Sequence, residues 1–253
     1  MPRKQTKKQL IYFLTFVSLF SFLLVIAIAL YPPEVKDSFL WRKQSTGLLF
    51  ISVSILGMVS VFFPRQCSGM FHEGDKKGSG VSVREREGFQ RSSKVLGVVF
   101  THGHHLECQG FRHHEFRVGE KSYCVACMGL FLGAVLAIFG VFSYFFSGWL
   151  VGIDGLLLIV FGVTGVALCL LQYTFLDVHS GLIRFSLNAF FIFGMFLILA
   201  GIDFIVQSLT LNFFLILLFI FWLFTRILLS KSKHEEICQT CDIECNNNKS
   251  RSN

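Results

Sequence analysis

Six apolar runs limit this chain more than any other feature: about Leu10–Leu30, Gly47–Phe63, Val125–Phe146, Leu150–Phe175, Phe185–Ile205 and Leu211–Leu229. A helix of roughly 20 apolar residues crosses the hydrocarbon layer of a bilayer. A backbone in lipid must satisfy its own N–H and C=O groups, which leaves helices or closed barrels, and runs of this length read as helices. The expected fold is therefore all-α: a polytopic integral membrane bundle of about six transmembrane helices, with the second run the shortest. Composition agrees, because 53% apolar residues, 31 Phe and a mean hydropathy of +0.61 over 253 residues exceed what a soluble domain carries.

Charge orients the bundle. With the N-terminus inside, 20 of the 23 Lys and Arg fall on the cytoplasmic side, including ten between Arg65 and Lys121 and five from Arg226 to Arg251; Lys36, Arg42 and Lys43 remain outside. The positive-inside rule then predicts a multi-pass protein of the cell membrane with both termini cytoplasmic. The net charge of +7 is read as topology and contact with anionic lipid, not nucleic-acid binding. A cleavable leader ending at Ala27-Ile28-Ala29 is the alternative for the first run. Its length, and Tyr31-Pro32-Pro33 after it, suit a retained helix whose downstream topology is the same.

Five segments follow: a two-helix hairpin over residues 1–63, a linker over 64–94, a cytoplasmic His/Cys loop over 95–127, a four-helix membrane region over 128–230 and a Cys-rich tail over 231–253. Pro64 to Ser93 mixes Gly, Ser and alternating charges such as Arg84-Glu85-Arg86-Glu87, a composition with too little apolar surface to offset the entropy of ordering. Val95–Phe100 suits either one strand or an apolar strip on the membrane face.

The loop holds the chemistry. His102, His104, His105, Cys108, His113, His114, Cys124 and Cys127 crowd into it, and His105-x2-Cys108 is separated from Cys124-x2-Cys127 by the 15 residues Gln109–Tyr123. Two such knuckles at this interval fit one tetrahedral zinc, held by His105, Cys108, Cys124 and Cys127. The last two stand at a helix N-terminus, where the dipole favours anionic sulfur. His102, His104, His113 and His114 are available as additional or substitute ligands. A second group, His234 with Cys238-x2-Cys241-x3-Cys245, could form its own site or share a metal with the first pair. Neither a His-Glu-x-x-His motif nor separated histidine boxes occur, so no catalysis is assigned.

Polar residues within the runs are few. Asp154 and Asp203 fall at outer ends, whereas Gln172, Asp177, His179, Arg184 and Asn188 fall at inner ends, near interfaces where snorkelling lowers the cost. Cys67 and Cys169 stand apart from both cysteine groups. Gly129-x3-Gly133 gives the third helix a small-residue face that suits close packing, including against another membrane subunit.

Cys108-Gln109, Arg112, Phe116, Gly119 and Cys124-x2-Cys127-x-Gly129-x3-Gly133, with a later Ile183-Arg184-Phe185 helix start, resemble the signature of an uncharacterised family of small prokaryotic predicted membrane proteins. That signature has Cys-His-Gln, then Cys-x-x-Cys-x-Gly-x-x-x-Gly entering a helix; here no His follows Cys108. The resemblance implies a metal or thiol site at the membrane face and no particular substrate. The function expected is metal binding, with zinc as the cofactor, in a structural or metal-handling role; the alternatives are a membrane thiol–disulfide oxidoreductase and a metal or ion transporter.

Overall fold

The computed structural model describes residues 2–34, 40–62, 92–95, 98–101, 115–118, 121–148, 154–174, 178 and 180–239. Its elements in chain order are α1 (Pro2–Leu30), α2 (Arg42–Phe62), β1 (Ser92–Val95), β2 (Val98–Thr101), β3 (Glu115–Val118), β4 (Lys121–Cys124), α3 (Val125–Val141) with a π-helical continuation over Phe142–Phe146, α4 (Gly155–Thr174), α5 (Gly181–Val206) and α6 (Leu209–Gln239). Five of the six long helices are apolar enough to cross a membrane. The sixth, α2, has the same length but opens with Arg42-Lys43. The protein is thus an all-α polytopic membrane bundle, and its apolar helices place it in a lipid bilayer.

Helix α5 is the most buried span, with α3 along one side of it and α4 along the other. Glycines set both contacts. On α3, a side chain at Gly129 or Gly133 would meet the backbone carbonyls of Phe185 and Ala189 on α5. The contacts advance in the same direction, so α3 and α5 run parallel. Between α4 and α5 the approach is reciprocal and antiparallel: a Cβ at Gly162 would lie 2.6 Å from the Gly194 carbonyl, and one at Gly194 2.8 Å from the Gly162 carbonyl. Close backbone approach replaces the missing hydrophobic drive between helices in lipid. The Gly129/Gly133 face, expected to suit another subunit, is therefore occupied by the chain's own α5.

The helix directions give the bundle two ends. At one lie the start of α3, the end of α4, the start of α5 and the last turns of α6; this is the Cys124 end. At the other, the Asp203 end, α5 turns into α6 through Gln207-Ser208, where Gln207 takes a left-handed φ of 58°. Helix α1 joins the core through Phe22, Val25 and Ala29, and Trp222 of α6 donates from Nε1 to Ser21 Oγ at 2.8 Å.

Several expectations change here. Ser92–Val95, at the end of the expected linker, pairs antiparallel with Val98–Thr101, so that the strand reading of Val95–Phe100 holds in part and gains a partner. The rest of the linker and Cys67 lie outside the described residues. Helix α6 continues past residue 230 to Gln239, placing His234 and Cys238 on helical backbone. Arg42 and Arg226, counted as loop charges, are buried at 8% and 6% exposure. Each is held by polar side chains from other helices, which a count of basic residues along the chain does not register.

Candidate metal centre at the Cys124 end

Strand β4 runs without a break into α3, so Cys124 is at once the last strand residue and the helix N-cap, with Cys127 one turn later. Both therefore sit in the first turn, where unpaired N–H groups present partial positive charge. Cys124 is buried and Cys127 half-buried, and no disulfide joins Cys124, Cys127 or Cys169. Strand β3 pairs antiparallel with β4 in the register Glu115↔Cys124, Phe116↔Tyr123, Arg117↔Ser122, Val118↔Lys121. Opposite residues in such a ladder are about 4.5–5.5 Å apart at Cα. The hairpin thus returns the chain at residue 115 to the side of Cys124.

His102, His104, His105, Cys108, His113 and His114 lie outside the described residues, as do Cys241 and Cys245. Among the described residues no three His, Cys, Asp or Glu side chains converge on one point. The order along the chain nevertheless delivers His113 and His114 to within two residues of Glu115, which faces Cys124. Helix α6 carries Cys238 twelve residues beyond Arg226, roughly 18 Å further along its axis, and its partner Cys241 lies outside the described residues.

Arg226 of α6 lies beneath this first turn, within electrostatic reach of Cys124 and Cys127. Its Nε donates to Asn188 Oδ1 at 3.1 Å, and its Nη2 donates to the same oxygen at 2.6 Å and to Tyr173 Oη at 3.2 Å. Asn188, fully buried on α5, is fixed in turn by donation from Nδ2 to the Arg184 carbonyl at 2.6 Å. Gln172 Nε2 donates to Cys169 Sγ at 3.2 Å, and that thiol reaches toward Asn188 Oδ1 at 3.8 Å. Cys169, separate from both cysteine groups in sequence, is therefore part of a polar network. Among the described residues, no carboxylate pairs with Arg226.

Of the residues expected at inner ends, Gln172 donates to Cys169 and Asn188 to the Arg184 carbonyl within α5, whereas Asp177 and His179 lie outside the described residues. Asp154 is exposed and accepts from the Leu156 N–H at 2.9 Å, a helix-start role. Asp203 is completely buried, paired with Arg42, and no snorkelling relieves it. Sequence reading missed Tyr173 and Arg226 as site residues. The available signal was an Arg on an apolar helix face, flanked by Phe224-Thr225 and Ile227-Leu228-Leu229. No family model, curated protein or solved structure matches this chain.

Proposed function

We propose that this membrane protein binds one zinc ion at the Cys124 end, through Cys124, Cys127 and donors of the preceding loop, and that the metal fastens that loop to the bundle. The β3–β4 register carries the reading. It brings the loop's return beside Cys124, so that His114 and His113 precede the ladder directly; His105-x2-Cys108 lies seven to ten residues before Glu115. A chain reaches at most about 3.3–3.6 Å per residue, which leaves ample length for both upstream ligands to return. Borderline-soft zinc suits the thiolate and imidazole donors, and four of them complete a structural site.

Charge supports the same conclusion. Three thiolates and one imidazole around Zn²⁺ leave a net −1, and Arg226 supplies a buried +1 with no carboxylate partner among the described residues. On this reading the Cys124 end faces the cytoplasm, where the Lys/Arg excess puts it and where thiols stay reduced.

Purified full-length protein should hold about one equivalent of zinc at this site, and replacing Cys124 and Cys127 together by Ser should remove it, because two of four ligands go. Unchanged zinc in the double variant, measured by elemental analysis, refutes the site. A Cys124–Cys127 disulfide that forms and reduces regardless of chelator would replace it with the oxidoreductase reading.

A further inference from the structure

Helix α6 does not stop at the membrane. Its apolar span covers Leu209–Lys233 and the helix runs on to Gln239, so His234 is the first residue past the span and Cys238 lies about one turn beyond it. Residues four apart on a helix share a face, with Cβ atoms roughly 5–6 Å apart. Paired ligands at that spacing hold zinc in zinc fingers and in metalloproteases. Beyond the helix the chain offers a second pair, Cys241-x3-Cys245, which lies outside the described residues. The candidate ligands thus fall as His234-x3-Cys238 on helical backbone and Cys241-x3-Cys245 in the tail, and α6 ends at Gln239, between the two pairs.

We infer that His234, Cys238, Cys241 and Cys245 bind a second zinc ion, separate from the one at Cys124 and Cys127, and that this ion closes the tail against the end of α6. Three thiolates and one imidazole are a common closed set for structural zinc. A helix end between the pairs is what the site needs, because continued helix would carry Cys245 roughly 10 Å along the axis past Cys238, whereas zinc–sulfur bonds are only about 2.3 Å. Six residues separate Cys245 from Gln239, and at about 3.3–3.6 Å per residue that length allows a return to the helix. The helical half argues for two ions: Cys238 is roughly 18 Å along α6 from Arg226, the residue within electrostatic reach of Cys124 and Cys127.

The test uses the full-length protein in detergent, loaded with zinc, desalted and assayed by elemental analysis. Wild type should hold two equivalents, and Cys124→Ser/Cys127→Ser and Cys238→Ser/Cys241→Ser should each retain one. The tail positions follow the membrane span, so their replacement leaves the packing of the bundle in place. Helical register is tested in the Cys124→Ser/Cys127→Ser background, which reports the tail alone. There, His234→Glu with Glu235→His keeps the composition but turns the imidazole about 100° around the helix. Zinc affinity should fall about tenfold or more, since even the loss of a ligand's own partner costs that much. A single equivalent that either Cys double variant abolishes would mean one shared ion and overturns the inference. Unchanged zinc in Cys238→Ser/Cys241→Ser, unchanged affinity after the register exchange, or half an equivalent held in zinc-dependent dimers overturns it too. Loss of all zinc in the tail variant, with none lost in Cys124→Ser/Cys127→Ser, would keep the tail site and refute the one at Cys124.

Discussion

Helix α5 carries a polar side chain toward each end, Asn188 and Asp203, fifteen residues or about 22 Å apart. Each receives an arginine from a different helix. At the Asp203 end Arg42 of α2 pairs with the carboxylate, whose Oδ1 also accepts from Asn212 Nδ2 at 2.7 Å and whose Oδ2 accepts from Tyr144 Oη at 3.1 Å. Asn212 further donates to Thr46 Oγ1 at 3.1 Å, so four helical segments meet in one unit in which the Arg42 and Asp203 charges cancel, while Asn212 Oδ1 is buried without a hydrogen-bond partner among the described residues. At the Cys124 end Arg226 is held, among the described residues, by uncharged dipoles, with cysteines and an open slot nearby. One end pairs its arginine with a carboxylate; the other pairs its arginine with uncharged groups among the described residues. A buried charge without its counter-ion is expensive in any protein and more so at membrane depth, and the metal site proposed at the Cys124 end would offset that cost.

The comparison breaks most visibly at Asp203. Asp203→Leu strands Arg42 in the bundle and should cost about 3–5 kcal/mol of unfolding free energy in micelles, with most of the loss recovered in the Arg42→Met/Asp203→Leu double variant. A tolerated single change would show that the pair is hydrated, and the contrast between the ends would disappear. At Arg226 the expected loss is smaller. Arg226→Gln leaves Asn188 and Tyr173 underbonded but strands no carboxylate, so about 1–3 kcal/mol is expected, together with weaker zinc retention. A cost equal to that at Asp203 would mean that Arg226 too is locked into a neutral pair. Smallest of all, Lys43 stands over the Tyr144 ring at 4.8 Å from its centroid, and Lys43→Gln should cost roughly 0.5–1 kcal/mol by thermal unfolding.

The helices were legible because lipid thickness imposes their length, and the third run's limits, Val125–Phe146, match the structure even though its last five residues are π-helical. Helix α2 starts earlier than its apolar run because Arg42 finds a carboxylate on α5, 161 residues away, and no local pattern announces such a partner. Positive-inside counting treats each basic residue as a loop residue, which is how Arg42 and Arg226 were misplaced. The β3–β4 hairpin could have been seen: Phe116 and Val118 alternate with Arg117, and Gly119-Glu120 separates the strands, with Gly at the favoured first position of a two-residue loop. Cys124 and Cys127 were correctly placed at the mouth of α3, but the cation beneath them comes from a helix about 100 residues further on, a neighbour that spacing arguments do not reach.

The Arg42–Asp203 pair also has a history within each molecule. During synthesis at about 5–20 residues per second, the 161 residues that separate the two take roughly 10–30 s to emerge. Over that interval α2, which is not among the five helices apolar enough to cross a membrane, has been made while its counter-charge does not yet exist. Its charged end must wait at the bilayer surface, held by water and headgroups, until α5 arrives. Assembly of this bundle is then expected to wait on its fifth helix: a ribosome stalled before Asp203 has left the exit tunnel should leave α2 shallowly inserted, whereas one stalled after α5 and α6 have emerged should leave it seated.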